Sequence, residues 1–153
     1  MTSTATHRPA PATTERVGYV VAVLISAAVL FAVNVWPGWQ IVPFLTDDLT
    51  QVLGLINVSL VASIASNLVF LTTRASWVRP LGDLVTTGIG IAVMARMLRV
   101  FPFAFDGASF DWAALVRVVL IVGLVGAAIA VVVQFVTLVR AINNEVVSAG
   151  DGR

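Results

Sequence analysis

The chain contains no cysteine and a single histidine, His7. Without thiols there is no disulfide, no thiolate zinc site and no cysteine nucleophile. With the one imidazole in a polar N-terminal stretch, a histidine metal site and a Ser-His triad are excluded as well. Lysine is also missing, since all nine basic residues are arginine, a bias that fits a GC-rich bacterial genome. Charge of either sign is scarce: 11% of the 153 residues are charged and the net charge is +1, whereas soluble domains carry about a quarter charged residues. The arginines are scattered along the chain, so no nucleic-acid face is expected.

In place of charge there is hydrocarbon, with 59% of the residues hydrophobic. A soluble fold of this size leaves about 30% of its unfolded surface exposed to water, which so apolar a composition does not tolerate. A bilayer removes the conflict. The expected fold is therefore all-α, a polytopic membrane protein whose four-helix transmembrane domain covers residues 16–143. Its transmembrane helices are expected at about 17–36, 48–73, 80–100 and 111–141.

The boundaries follow from local chemistry. Residues 1–15 are rich in Thr, Ala and Pro and bury too little to offset ordering entropy, so a disordered tail is expected there. Val17 to Trp36 is an apolar run long enough to cross ~30 Å of hydrocarbon at ~1.5 Å per residue, and too long for a cleaved signal core. Pro37-Gly38 breaks it, and Trp36, Trp39 and Phe44 suit the headgroup level. Asp47 or Thr46 is placed to cap the second helix, Asp47 and Asp48 to complement its dipole. Trp77 lies in a short turn between Arg74 and Arg79, and Pro80 is expected at the first position of the third helix. Phe101-Pro102 stops that helix, Asp111-Trp112 starts the fourth, and residues 144–153 read as a flexible tail.

Arg8, Arg16, Arg74, Arg79, Arg140 and Arg153 fall in the tails, the middle loop or the C-terminal end, and the loops 37–46 and 102–110 hold no arginine. The positive-inside rule then puts both termini in the cytoplasm and the chain in a bacterial plasma membrane.

The two hairpins share an aromatic-Pro break, an acidic start at Asp47 or Asp111, and an Arg-Ala ending. Aligning the acidic starts sets Ser59, Ser63 and Ser66 against Gly123, Ala127 and Ala130. Small residues so spaced let helices approach closely in lipid, which predicts that the second and fourth helices pack centrally, around a pseudo-two-fold axis along the membrane normal. Two tandem helical hairpins and chance similarity both remain open on this pattern.

Charges in hydrocarbon are candidates for function. Arg96, Arg99 and Arg117 lie near the non-cytoplasmic face, where Asp47, Asp48, Asp106 and Asp111 also sit. These residues form either an anion or lipid-headgroup cluster, because guanidinium forks suit phosphate oxygens, or structural ion pairs between arginines and loop aspartates. The pairing is preferred, acids and bases being nearly balanced there. Asp83 is expected to complement its helix dipole and to pair with Arg79. Ser59, Ser63, Ser66 and Asn67 share one broad face of the second helix, which also carries Asn57. Asn57 and Asn67 are thus candidates for a polar path, although bonding between helices is the preferred role. Gly88 and Gly90 lack the surroundings of a phosphate loop and are given packing roles. Met94 and Met97 read as apolar filler.

The segments Asn34-Val-Trp-Pro-Gly-Trp39, Phe44-Leu-Thr-Asp-Asp48, Leu81-Gly-Asp-Leu-Val-Thr-Thr87 and Phe101-Pro-Phe103 resemble small uncharacterised four-helix integral membrane proteins of actinobacteria. The resemblance spans the helical region and implies a fold without an activity. Four functional readings follow. The leading one is a non-catalytic scaffold or accessory subunit that meets a membrane protein partner or a second copy as a homo-oligomer. The second is a small oligomeric transporter or channel, and the third a protein that binds lipid headgroups. An enzyme is the least favoured, and no cofactor or metal is expected.

Overall fold

The computed structural model describes residues 13–73, 75–105 and 110–150. The expected disorder of residues 1–12, the roles given to His7, Arg8, Arg74, Asp106 and Arg153, and the last three residues all lie outside that set.

Four helices carry the chain: α1 (Thr13–Asn34), α2 (Thr50–Thr72), α3 (Val78–Val100) and α4 (Trp112–Gly150). Each is long and apolar enough to cross a membrane. A helix is the solution lipid imposes on such runs, since every main-chain polar group finds its partner within the segment. Pro37 disfavours helical backbone at Trp36, and Gly38 turns the chain at φ 86°, where a side chain's Cβ would come within 2.5 Å of Gln40 Oε1. A 3-10 turn at Trp39–Ile41 and another at Asp47–Leu49 lead into α2. Neither Thr46 nor Asp47 caps a helix through its side chain. The expected cap is replaced by backbone bonding, with Leu49 N–H donating to Thr46 O at 3.0 Å. α3 starts at Val78, so Pro80 sits at its third position, still within the turn where no N–H partner is needed. Phe101, in the left-handed region at φ 45°, ends α3, and Pro102 prevents resumption. Asp111 caps α4, its Oδ1 accepting from Ala114 N–H at 2.9 Å.

Two expected tails are shorter than their composition suggested. Thr13 to Glu15 already belong to α1, and α4 runs past residues 141 and 143 to Gly150. Thr, Glu, Asn and Val cost a helix only tenths of a kcal/mol each relative to alanine, and both segments extend a helix already nucleated by its apolar run.

The helices form a row in chain order. α1 packs on α2, α2 on α3 and α3 on α4, and no comparable interface joins α1 or α2 to α4. The expected central α2–α4 packing is therefore replaced, because α3 stands between them. A two-fold axis relating the hairpins would repeat the α2–α3 interface between α4 and α1; that interface is not built. The fold is an open row of helices rather than a closed bundle. Its buried side chains, Leu49, Val52 and Pro102, gather where the first and third connections meet, and Ser26 is the one buried polar residue among those described.

Candidate functional site

The connections 35–49 and 101–111 lie at one end of the row and are stitched together. Leu45 and Phe103 form an isolated antiparallel bridge, in which Thr46 N–H donates to Pro102 O at 3.1 Å and Ala104 N–H to Phe44 O at 3.0 Å. Rings then line up across the junction. Phe44 stacks on Phe105 at 5.9 Å, Phe105 on Phe103 at 6.1 Å, and Phe103 meets the edge of Phe101 at 5.5 Å. Offset and edge contacts at such separations suit the aromatic quadrupole. Arg117 closes the array, its Cζ 4.4 Å from the centroid of Phe101.

That geometry shows what the described members of the arginine and aspartate group touch. Among the described residues no ion pair joins Arg96, Arg99 or Arg117 to Asp47, Asp48 or Asp111. Arg117 lies on an aromatic face instead. Asp48 accepts from Gln51 Nε2 at 3.0 Å, and Asp111 is spent on its cap. Asp106 falls outside the described residues. Arg96 and Arg99 are both exposed, one helical turn apart on α3.

The polar side chains of the apolar runs act mainly as fasteners. Asn34 and Asn57 exchange two hydrogen bonds, each Nδ2 donating to the other's Oδ1 at 2.8 Å. Ser26 Oγ donates to Ser63 Oγ at 3.2 Å. Asn67 Nδ2 folds back onto Ser63 O at 2.7 Å, and Ser59 onto Ile56 O at 2.8 Å. On the other flank Gln134 Nε2 donates to Thr87 Oγ1 at 3.0 Å. Asn57 and Ser63 therefore hold α1 to α2, while Ser59 and Asn67 bond within their own helix. Asn34, Ser26, Thr87 and Gln134 escaped the sequence reading. Their signal was present as isolated polar residues deep in apolar runs, a position that calls for a partner.

The small residues do mediate close approach, but towards α3. Ser66 Oγ is 3.5 Å from where a Cβ on Gly82 would lie, and the same Cβ would meet Phe70 Cζ at 2.5 Å. A Cβ on Gly123 would be 3.1 Å from Met94 Sδ. Ala127 and Ala130 continue the Gly123 face by helical spacing and are half-buried. Gly88 and Gly90 face open space, so their expected packing role is not realised, and Met94 fills the gap beside Gly123.

At the opposite end Arg79 forms an ion pair with Glu15 at 3.9 Å and lies 5.5 Å from the Tyr19 ring, and its charge also acts on Asp83. Tyr19 in turn tilts against Phe70 at 5.6 Å. Among the described residues no three His, Cys, Asp or Glu side chains gather in a metal-holding group. No protein-family model, curated protein or solved structure matches this chain.

Proposed function

We propose that this chain is a non-catalytic scaffold or accessory subunit of a bacterial plasma membrane, with both termini and the 73–77 turn in the cytoplasm. The observation that carries the reading is the open row. α1 and α4 each have one large helix interface, with α2 and α3 respectively, so long apolar faces stay available to a partner. What supports it further is the use of polar side chains. Asn34, Asn57, Ser26, Ser63, Thr87 and Gln134 are engaged in holding neighbouring helices together, which leaves little of the polar lining a solute path needs. The orientation is supported by Arg16, Arg79 and Arg140, which lie towards the termini end.

Crosslinking in native membranes followed by mass spectrometry tests this reading. A stable partner, retained in mild detergent and absent from control membranes, is expected. Solute flux through proteoliposomes of the purified chain, abolished by changing Asn67 or Ser63, would overturn it in favour of a transporter.

One observation favours a second role, headgroup binding: Arg96 and Arg99 are exposed beside each other with no acidic partner among the described residues. Phospholipid co-purifying with the chain is expected to fall in the Arg96→Ala/Arg99→Ala double variant. Unchanged lipid alongside a loosened fold refutes that role.

A further inference from the structure

α4 has 39 residues, about 58 Å of helix at ~1.5 Å per residue, against ~30 Å of hydrocarbon. Its contacts with α3 fix how much of it is covered. Arg117 lies against Phe101 and Gln134 against Thr87, and this register brings the first residue of α3, Val78, level with the neighbourhood of Arg140. Beyond about residue 143 α4 continues without a helix beside it, and past Asn144 it leaves the stretch long and apolar enough to span a membrane. Yet Val146 and Val147 there are 65% and 63% exposed. Lipid covers apolar side chains within the bilayer, but not these.

Exposed apolar residues occur on several faces of α4, and one set of them is continuous from the span to its projecting end. Val132, Phe135, Val139, Ile142 and Val146 follow one another at alternating steps of three and four residues, the spacing of a supercoiling seam. All five are exposed. The α3-facing stripe of Gly123, Ala127 and Gln134 lies elsewhere on the helix, so the seam is free while α3 is in place. Valine recurs at every second position of the seam with Phe135 and Ile142 between, apolar knobs that fit the holes of a facing helix.

We propose that this seam is the contact between two copies of the chain, which pair α4 to α4 in parallel, from within the membrane into the water beyond it. The run of the seam selects the occupant. Lipid can cover Val132 and Phe135 but leaves Val146 wet, and a soluble protein covers Val146 but cannot reach Val132. An occupant of the whole seam is itself a membrane helix that projects past the bilayer on the same side by a similar length. α4 of a second copy inserted the same way meets that description and brings matching residues face to face. The pairing rests on the scaffold reading above and names another copy as the partner.

The absence of cysteine makes the test clean. Single variants Ile142→Cys, Val146→Cys and Thr137→Cys of the full chain are oxidised in native membranes. Disulfides form only when Cβ atoms approach to about 4 Å. Ile142→Cys and Val146→Cys are expected to shift from the 16.2 kDa monomer band to a homodimer, while Thr137→Cys, off the seam, stays monomeric. Native mass spectrometry of the unsubstituted chain in mild detergent, which depends on no substitution, is expected to show the same dimer. Equal crosslinking at Thr137, or a native monomer with no seam crosslinks, overturns the proposal. A monomer that still retains a different membrane protein overturns this pairing but leaves the scaffold reading standing. A homodimer without any other partner upholds the pairing and removes the need for a heterologous one.

Discussion

The reciprocal bonds between Asn34 and Asn57 allow a quantitative test of how the first hairpin is held. Asn34 ends α1, whereas Asn57 lies seven residues into α2, about 10 Å along it. The bonds are exposed on the protein surface, and Asn57 lies within the apolar run Asp47–Thr72, where lipid rather than water is expected beside them. Polar contacts between membrane helices average about 0.6 kcal/mol each and reach about 1.7. Two bonds of 2.8 Å should thus couple the residues by roughly 1 kcal/mol. Replacing one asparagine by leucine costs more than that share, since it orphans the other amide, a penalty of about 1–3 kcal/mol. Replacing both removes the orphan. Asn34→Leu and Asn57→Leu are each expected to destabilise the fold by about 1–2 kcal/mol, and the double variant by clearly less than their sum. Reversible unfolding in mixed detergent-lipid micelles, run as a double-mutant cycle, measures the difference. Strict additivity would show that the two amides contribute independently and refute the reasoning.

Gln134 and Thr87 should respond asymmetrically in the same assay. Gln134→Leu loses one hydrogen bond but also removes Oε1, which is buried without a partner among the described residues, so a change within about 0.5 kcal/mol is expected, whereas Thr87→Val leaves both ends of the glutamine unpaired and should cost about 1–2 kcal/mol. Gly82→Ala drives a methyl group into Phe70, which Tyr19 backs on its other side; a loss of about 1–3 kcal/mol is expected, relieved by the second change Phe70→Leu. Arg117→Gln keeps a polar side chain but loses the cation, and should destabilise the loop junction by about 0.5–1 kcal/mol, read as faster hydrogen exchange at Thr46 and Ala104. Arg117→Lys should fall between the two.

The sequence was most informative where a residue acts alone. Run length sufficed for the four spans, since hydrocarbon thickness sets their minimum, and Pro37-Gly38, Phe101-Pro102 and the Asp111 cap act within a turn of themselves. It was least informative about neighbours. The Gly123, Ala127 and Ala130 stripe announces a close approach without saying to which helix, and that choice belongs to the connections. The short 73–77 turn keeps α2 beside α3, and the 101–111 connector keeps α3 beside α4, so α4 meets α3 first. The contacts of Arg117 were illegible for a related reason. Counting acids near bases ignores that Asp111 is committed to its cap and Arg117 to an aromatic face. At the chain's far end Asn143-Asn144 looks like a stop, but two asparagines cost an established helix little, and α4 passes through them.

The stitch between Leu45 and Phe103 gives the molecule a mechanical polarity. At that end the hairpins are fastened by main-chain hydrogen bonds of 3.0 and 3.1 Å beneath four phenylalanine rings. At the other, the tie between α1 and α3 is an ion pair of 3.9 Å whose side chains are about half exposed, a kind of contact that contributes about 0–1 kcal/mol and is screened by salt. Between α1 and α3 themselves the end with the termini therefore holds weakly, although the chain joins α2 to α3 there and packs Gly82 against Phe70. Raised salt should thus loosen α1 from α3 at Glu15 and Arg79 while the main-chain bonds keep the ring end closed.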